Sequence, residues 1–205
     1  MDLISIPFAI LAITSVLIYY LINYKFRVFF LVLISCGFIA GFNFYLLLYV
    51  VGFTLINYLI GINIPDSEYK NVLFRIGLII NLLQLVLLKY SSFMVDPVFR
   101  LFEIDVNSSR LSEIILPLGI SYFTLQGIGY LVNVKMGWEK PERRFSDFLL
   151  YIIFFPKFLS GPIERSNHFL PQLKADRLFG EKQINDCLRI ALFGFFKKVV
   201  IANQL

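Results

Sequence analysis

The only histidine, His168, stands in Glu164-Arg165-Ser166-Asn167-His168-Phe169-Leu170-Pro171-Gln172, a polar stretch just past an apolar run. Imidazole titrates near neutral pH and serves as general acid or base. A lone histidine in such a loop is nevertheless expected to be solvated or interfacial. Ser160-Gly161-Pro162 offers a serine without the G-x-S-x-G turn and without acid and histidine partners, so a structural role is expected. Gln126-Gly127-Ile128-Gly129-Tyr130 lacks the third glycine and the strand-turn-helix setting of a dinucleotide loop, and helix packing explains it better. Gly37 and Gly41 form a GxxxG, with close packing and a helix-ending turn both open. Cys36 and Cys187 lie far apart and make neither a metal knuckle nor a disulfide framework; packing thiols are expected. The sequon Asn107-Ser108-Ser109 is too short a pattern to carry weight. No catalytic cluster and no metal site can be assembled from these residues.

Polar side chains inside apolar runs carry more information, because an amide without a partner in lipid costs several kcal/mol on transfer scales. Asn57, Asn81, Gln84 and Gln126 are in that position. Interhelical hydrogen bonding is the expected role, and lining a substrate path is the alternative.

The elements that hold these residues are set by composition. Apolar residues make up 58% of the 205 and charged residues 16%, and the mean hydropathy is +0.75. A soluble chain carries about a quarter charged residues, so a membrane is the expected solvent. Disorder, collagen-like structure and a disulfide scaffold are excluded. The net charge of +5 comes from 19 basic and 14 acidic residues scattered between apolar runs. That pattern reads as membrane topology and argues against a nucleic-acid partner.

Leu3 to Tyr24 is uncharged over about the 20 residues a crossing needs, and lacks the basic start and cleavage site of a removable signal. Lys25 and Arg27 are expected to close it. The uncharged stretch Val28 to Ile64 is too long for one crossing and predicts two, over 28–42 and 44–62, broken near Gly41-Phe42-Asn43. A polar turn at 65–70 precedes a fourth run, 72–88, in which Arg75 can snorkel. Residues 91–113 predict an interfacial amphipathic piece, and 114–134 a fifth crossing with Pro117 near its start. Gly119, Gly127 and Gly129 are expected to allow close approach there. Phe148 to Ile163 is interrupted by Pro156, Gly161 and Pro162 and predicts a kinked or re-entrant segment facing protein. Residues 164–182 are polar, and 184–205 are too mixed to cross. The fold class expected is therefore all-α: one multi-pass helical membrane domain over 1–205, with about five crossings. Basic residues at Lys25, Arg27, Lys70, Lys135, Lys140, Arg143 and Arg144 against Lys89, Arg100 and Arg110 favour an outside N-terminus.

Leu116-Pro117-Leu118-Gly119-Ile120-Ser121-Tyr122-Phe123-Thr124-Leu125-Gln126 with Tyr130 to Val134, and Phe145-Ser146-Asp147-Phe148 leading to Phe154-Phe155-Pro156-Lys157, carry a resemblance that continues through Ser160-Gly161-Pro162-Ile163-Glu164-Arg165, Phe169 to Leu173 and Gly194 to Ala202. Together they resemble the membrane-bound O-acyltransferase family, and within it the bacterial alginate O-acetylase-like branch. The resemblance implies a many-helix enzyme of the cell membrane that moves an acyl group, acetyl by analogy, from a donor to hydroxyls of an exported or cell-wall polysaccharide. It implies an acyl donor or carrier as co-substrate, no bound cofactor, membrane lipid around the chain and accessory acetylation proteins as partners. The family's histidine lies in a Trp-His-Gly-type segment beyond the part matched by Lys197-Lys198. The 205 residues are thus expected to be an N-terminal portion, inactive alone, with no catalytic residue. Gly161, Pro162, Glu164 and Arg165 match a family loop near the tunnel mouth and join Gln126 as candidate substrate-binding or tunnel-shaping residues. A non-catalytic membrane scaffold docking partners through 135–147 or 164–182 is the alternative, and a transporter, lacking paired broken helices, is third.

Overall fold

The computed structural model describes residues 6–89, 119–158, 161, 163–175, 181–197 and 200. The expected interfacial piece at 91–113, the start of the run at 114–134, Ser160 and Pro162 lie outside them. The described residues are helical, and they divide into two units, 1–174 and 175–205.

In the first unit, α1 (Ile6–Leu21), α2 (Tyr24–Phe42), α3 (Phe44–Asp66) and α4 (Lys70–Lys89) follow the four expected apolar runs. Helices α2, α3 and α4 are long and apolar enough to cross a membrane; α1 is apolar but shorter, at 16 residues. Their outer faces expose Leu33, Leu48, Leu59, Ile79 and Leu83, as a bundle solvated by hydrocarbon must. This is an all-α membrane bundle.

Helix ends are written by side chains. Asn23 starts α2 by accepting a hydrogen bond from the Lys25 backbone N–H at 3.3 Å. Lys25 and Arg27 therefore belong to the first turn of α2 and do not form a closing loop. Charge proves compatible with that turn because the Arg27 guanidinium lies 4.8 Å from the Tyr19 ring centroid and its Nε donates to the Ile22 carbonyl at 3.3 Å. Asn43, extended at φ −162°, is the one-residue break between α2 and α3; its side chain accepts from the N–H groups of Tyr45 (2.8 Å) and Leu46 (3.4 Å). The helix runs straight through Gly41, and a Cβ built at Gly37 or Gly41 meets no described atom within 4 Å. Among the described residues nothing packs closely on that GxxxG, and the helix ends beyond it at Asn43.

Helix α5 (Ile120–Lys135) packs against α3 and α4. Gly127 lies close against them: a Cβ there would stand 3.1 Å from Asn81 Oδ1 and 3.1 Å from Phe53 Cζ, whereas at Gly129 it would meet no described atom within 4 Å. Buried at this seam, Asn81 Nδ2 donates to Asn57 Oδ1 at 2.8 Å and to the Gly77 carbonyl at 2.7 Å, and Asn57 Nδ2 donates to the Phe53 carbonyl at 3.1 Å. Gln84 donates to Thr124 Oγ1 at 2.9 Å and accepts from the Tyr49 hydroxyl. Three of the four in-run amides thus tie helices together, as their desolvation cost requires.

The kinked segment is two helices, α6 (Phe145–Ile153) and α7 (Phe155–Phe158), parted at Phe154 two residues before Pro156. Asp147 to Ile153 are all buried, against α2 and α3. The Phe155 N–H freed by the break donates to Ser35 Oγ of α2 at 3.2 Å. Protein therefore surrounds the irregular backbone, the condition under which it is tolerated at membrane depth.

Beyond it, α8 (Ser166–Lys174) replaces the expected loop around His168. The Arg165 carbonyl accepts from the His168 and Phe169 N–H groups, both at 3.1 Å, and the apolar pair Phe169 and Leu170 buries one face against α5 and α6. That burial supplies what propensity alone would not in a stretch containing Pro171. In the second unit, α9 (Glu181–Phe196) exposes Ile190, Leu192, Phe193 and Phe196, and Lys197 Nζ sits 4.7 Å from the Phe193 ring centroid.

Candidate functional site

Gln126, Gly129 and Asn133 recur at i, i+3 and i+7 on α5 and so share one face. Opposite them stand Tyr151 of α6, Trp138 of the loop after α5, and Ile163-Glu164-Arg165 leading into α8. Together with Leu125 and Val132 these residues line a partly open cavity of about 230 Å³. Gln126, Glu164 and Arg165, expected from sequence to shape a site, are brought together on its wall. Gly161 stands outside the lining but carries the approach to it: its N–H donates to the Lys157 carbonyl at 2.9 Å, and a Cβ there would lie 2.5 Å from Lys157 Cα. Any larger residue would push the 163–165 segment off α7. Pro162 lies outside the described residues.

The cavity wall is knitted by polar groups. The Tyr151 hydroxyl donates to the Glu164 carbonyl at 2.9 Å, with the Gln126 carbonyl 3.4 Å away. Asn133 Nδ2 reaches Ser166 Oγ at 3.2 Å and Glu139 Oε2 at 3.4 Å, and the Ser166 hydroxyl donates to the same Glu139 oxygen. Burial pushes the Glu139 carboxyl above its ordinary value, and the hydrogen bonds from Ser166 and Asn133 oppose that rise. The loop 136–144 is anchored again at buried Glu142. Its carboxylate accepts the N–H groups of Arg143 (3.0 Å) and Arg144 (3.1 Å) and pairs with Lys174 Nζ at 2.6 Å, while its own N–H donates to the Tyr130 hydroxyl at 3.1 Å.

One cation meets Glu164 and another lines the cavity beside it. Lys157 Nζ, on a side chain only 7% exposed, is 3.8 Å from Glu164 Oε2, and Arg165 is exposed at the rim. His168 is 75% exposed; its Nδ1 lies 3.4 Å from Glu164 Oε1 and 3.0 Å from Gln172 Nε2. It faces α8's own polar side and is not set against a nucleophile. Among the described residues no group of three His, Cys, Asp or Glu could hold a metal. The cavity instead presents carboxamides, a carboxylate and a guanidinium, a set suited to holding a hydroxyl-rich or carbonyl-bearing ligand by hydrogen bonds.

Asn133, Tyr151, Glu139, Ser166 and Lys157 were not singled out by sequence. Asn133 could have been, standing seven residues after Gln126 in the same apolar run; Glu139 and Ser166 could not, because only the tertiary fold brings loop and helix together.

Helical membrane architecture with a largely apolar cavity edged by Gln126, Asn133, Glu164 and Arg165, beside a broken, protein-enclosed segment, defines the class: a multi-pass membrane protein with a pocket in its bundle. Comparison with known proteins narrows it. The chain is 29% identical over 193 residues to a probable alginate O-acetylase of Pseudomonas aeruginosa, covering 92% of this chain and 37% of that protein. It is 31% identical over 203 residues to a peptidoglycan O-acetyltransferase of Helicobacter pylori, covering 85% of this chain and 38% of that protein. A teichoic acid D-alanyltransferase of Bacillus subtilis is 38% identical over 92 residues, 43% of this chain. By this shared sequence the chain is similar to membrane-bound O-acyltransferases, the alginate and peptidoglycan O-acetylating proteins among them. It spans a little over a third of the length of the curated relatives it matches. No family model and no solved structure matches it.

Proposed function

We propose that this chain is part of a cell-membrane O-acyltransferase that transfers an acyl group, acetyl by analogy with its relatives, from a donor or carrier to hydroxyls of an exported or cell-wall polysaccharide. The observation that carries the reading is the placement of Gln126, Glu164 and Arg165, from separate parts of the likeness, around one cavity. In this account the described residues bind and orient. The general base that acyl transfer needs is supplied from outside them, since His168 engages Glu164 and Gln172 on an exposed helix face. The anchoring of the loop 136–144 through Glu142 to Lys174, and of Arg143 to Tyr58 by a 2.6 Å hydrogen bond, favours a site wall over a free docking arm.

The test is genetic. Deleting the gene and measuring alkali-labile acetate on the surface polysaccharide should show a loss that the full gene restores; unchanged ester in the deletion strain would refute the assignment.

A further inference from the structure

Lys157 is a buried cation that the account so far leaves without a task. Its side chain is 7% exposed, and Nζ has no hydrogen-bond partner among the described residues. The ammonium lies 3.9 Å from the Phe169 ring centroid and 4.6 Å from that of Tyr151, so aromatic faces take up part of its charge. A lysine kept only to fill space would be replaced at lower cost by methionine, because a desolvated charge with incomplete pairing is expensive. What it faces besides rings is Glu164 Oε2 at 3.8 Å. Glu164 is one of the residues lining the cavity, and the segment carrying it is seated on Lys157 by the Gly161 N–H bond to the Lys157 carbonyl.

We propose that Lys157 is a positioning residue: from beside the cavity its ammonium holds the Glu164 carboxylate in place as the acceptor for a hydroxyl or N–H group of the bound acyl donor or carrier. The identity of the ligand rests on the acyl-transfer reading; the coupling of Lys157 to Glu164 does not. Lys157 touches no ligand itself. Its removal frees the carboxylate to turn toward His168, whose Nδ1 is 3.4 Å from the other oxygen.

The experiment uses that neighbour as a reporter, since the chain has one histidine. Histidine-labelled full-length protein in detergent gives one imidazole signal from this chain's sequence, assigned by its loss in His168→Gln. At fixed pH, Lys157→Met should move that signal and Lys157→Arg should leave it near its original place. In a Glu164→Gln background, Lys157→Met should move it no further. In membranes, Lys157→Met should raise the KM for the acyl donor about tenfold, the loss of one charge-assisted hydrogen bond, with kcat within about twofold and recovery by Lys157→Arg. An imidazole signal indifferent to Lys157→Met, or one that responds equally in the Glu164→Gln background, overturns the inference even if acyl transfer is confirmed. A coupled signal in a protein that transfers no acyl group keeps the positioning role and removes the ligand assignment. Where Lys157→Met fails to accumulate, Lys157→Gln carries the same comparison.

Discussion

Single side chains here do two kinds of work, and their environments tell which. Asn81 donates a 2.8 Å hydrogen bond to Asn57 across the α3–α4 seam, with both side chains fully buried, so Asn57→Leu should cost about 1 kcal/mol, within the range of interhelical bonds in bilayers. A lowered thermal unfolding midpoint in detergent, with lower abundance, would show it. Glu139 is different, a half-buried carboxyl whose folded-state pKa is raised by burial. The folded protein therefore holds that proton more tightly than the unfolded chain. Its contribution to stability is full at low pH and is lost as pH rises through the range just above ordinary carboxylates. The midpoint should fall across that window, and Glu139→Gln should flatten the fall; an identical pH profile in the variant would refute the assignment. Sequence made the first kind of residue legible, since an amide in an apolar run is expensive wherever it points. It did not reveal Glu139 or Lys157, because a charged residue in a loop or beside a proline looks solvated until its neighbours are known.

At the scale of elements, the helices and their breaks follow from caps and prolines. The break expected near residues 41–43 falls at Asn43, whose side chain caps α3, and the irregularity expected around Pro156 appears as the α6–α7 break. What the pattern could not supply is the partner that makes such a break tolerable. Ser35, one polar residue in α2, accepts the Phe155 N–H at 3.2 Å with both residues buried. Ser35→Ala should destabilise the protein by about 1–3 kcal/mol, the cost of an orphaned buried donor; a midpoint unchanged from wild type would mean that the backbone finds another acceptor. Helix α8 was hidden for the converse reason. Its polarity reads as loop, and only the burial of Phe169 and Leu170 against α5 and α6 makes it a helix.

For the whole molecule, the sequence conveyed a lipid-solvated helical bundle and the family likeness, while the cavity needed three dimensions, because its walls come from residues spread between 125 and 165. The asymmetry of basic residues predicts an outside N-terminus and a cytoplasmic 136–144 loop. With Cys36 and Cys187 replaced, Lys140→Cys should resist an impermeant maleimide in intact cells and react in inverted vesicles; labelling of intact cells would reverse the topology. The central claim is that the cavity serves acyl transfer and is not merely a packing flaw. Alkali-labile acetate on the surface polysaccharide, measured in a Gln126→Leu strain at protein abundance matched to wild type, tests it most directly. The account predicts a fall of about tenfold or more, as expected when a hydrogen-bonding side chain in a binding site is replaced by an apolar one. Unaltered ester at equal abundance would contradict it and return Gln126 to the amides that only hold helices together.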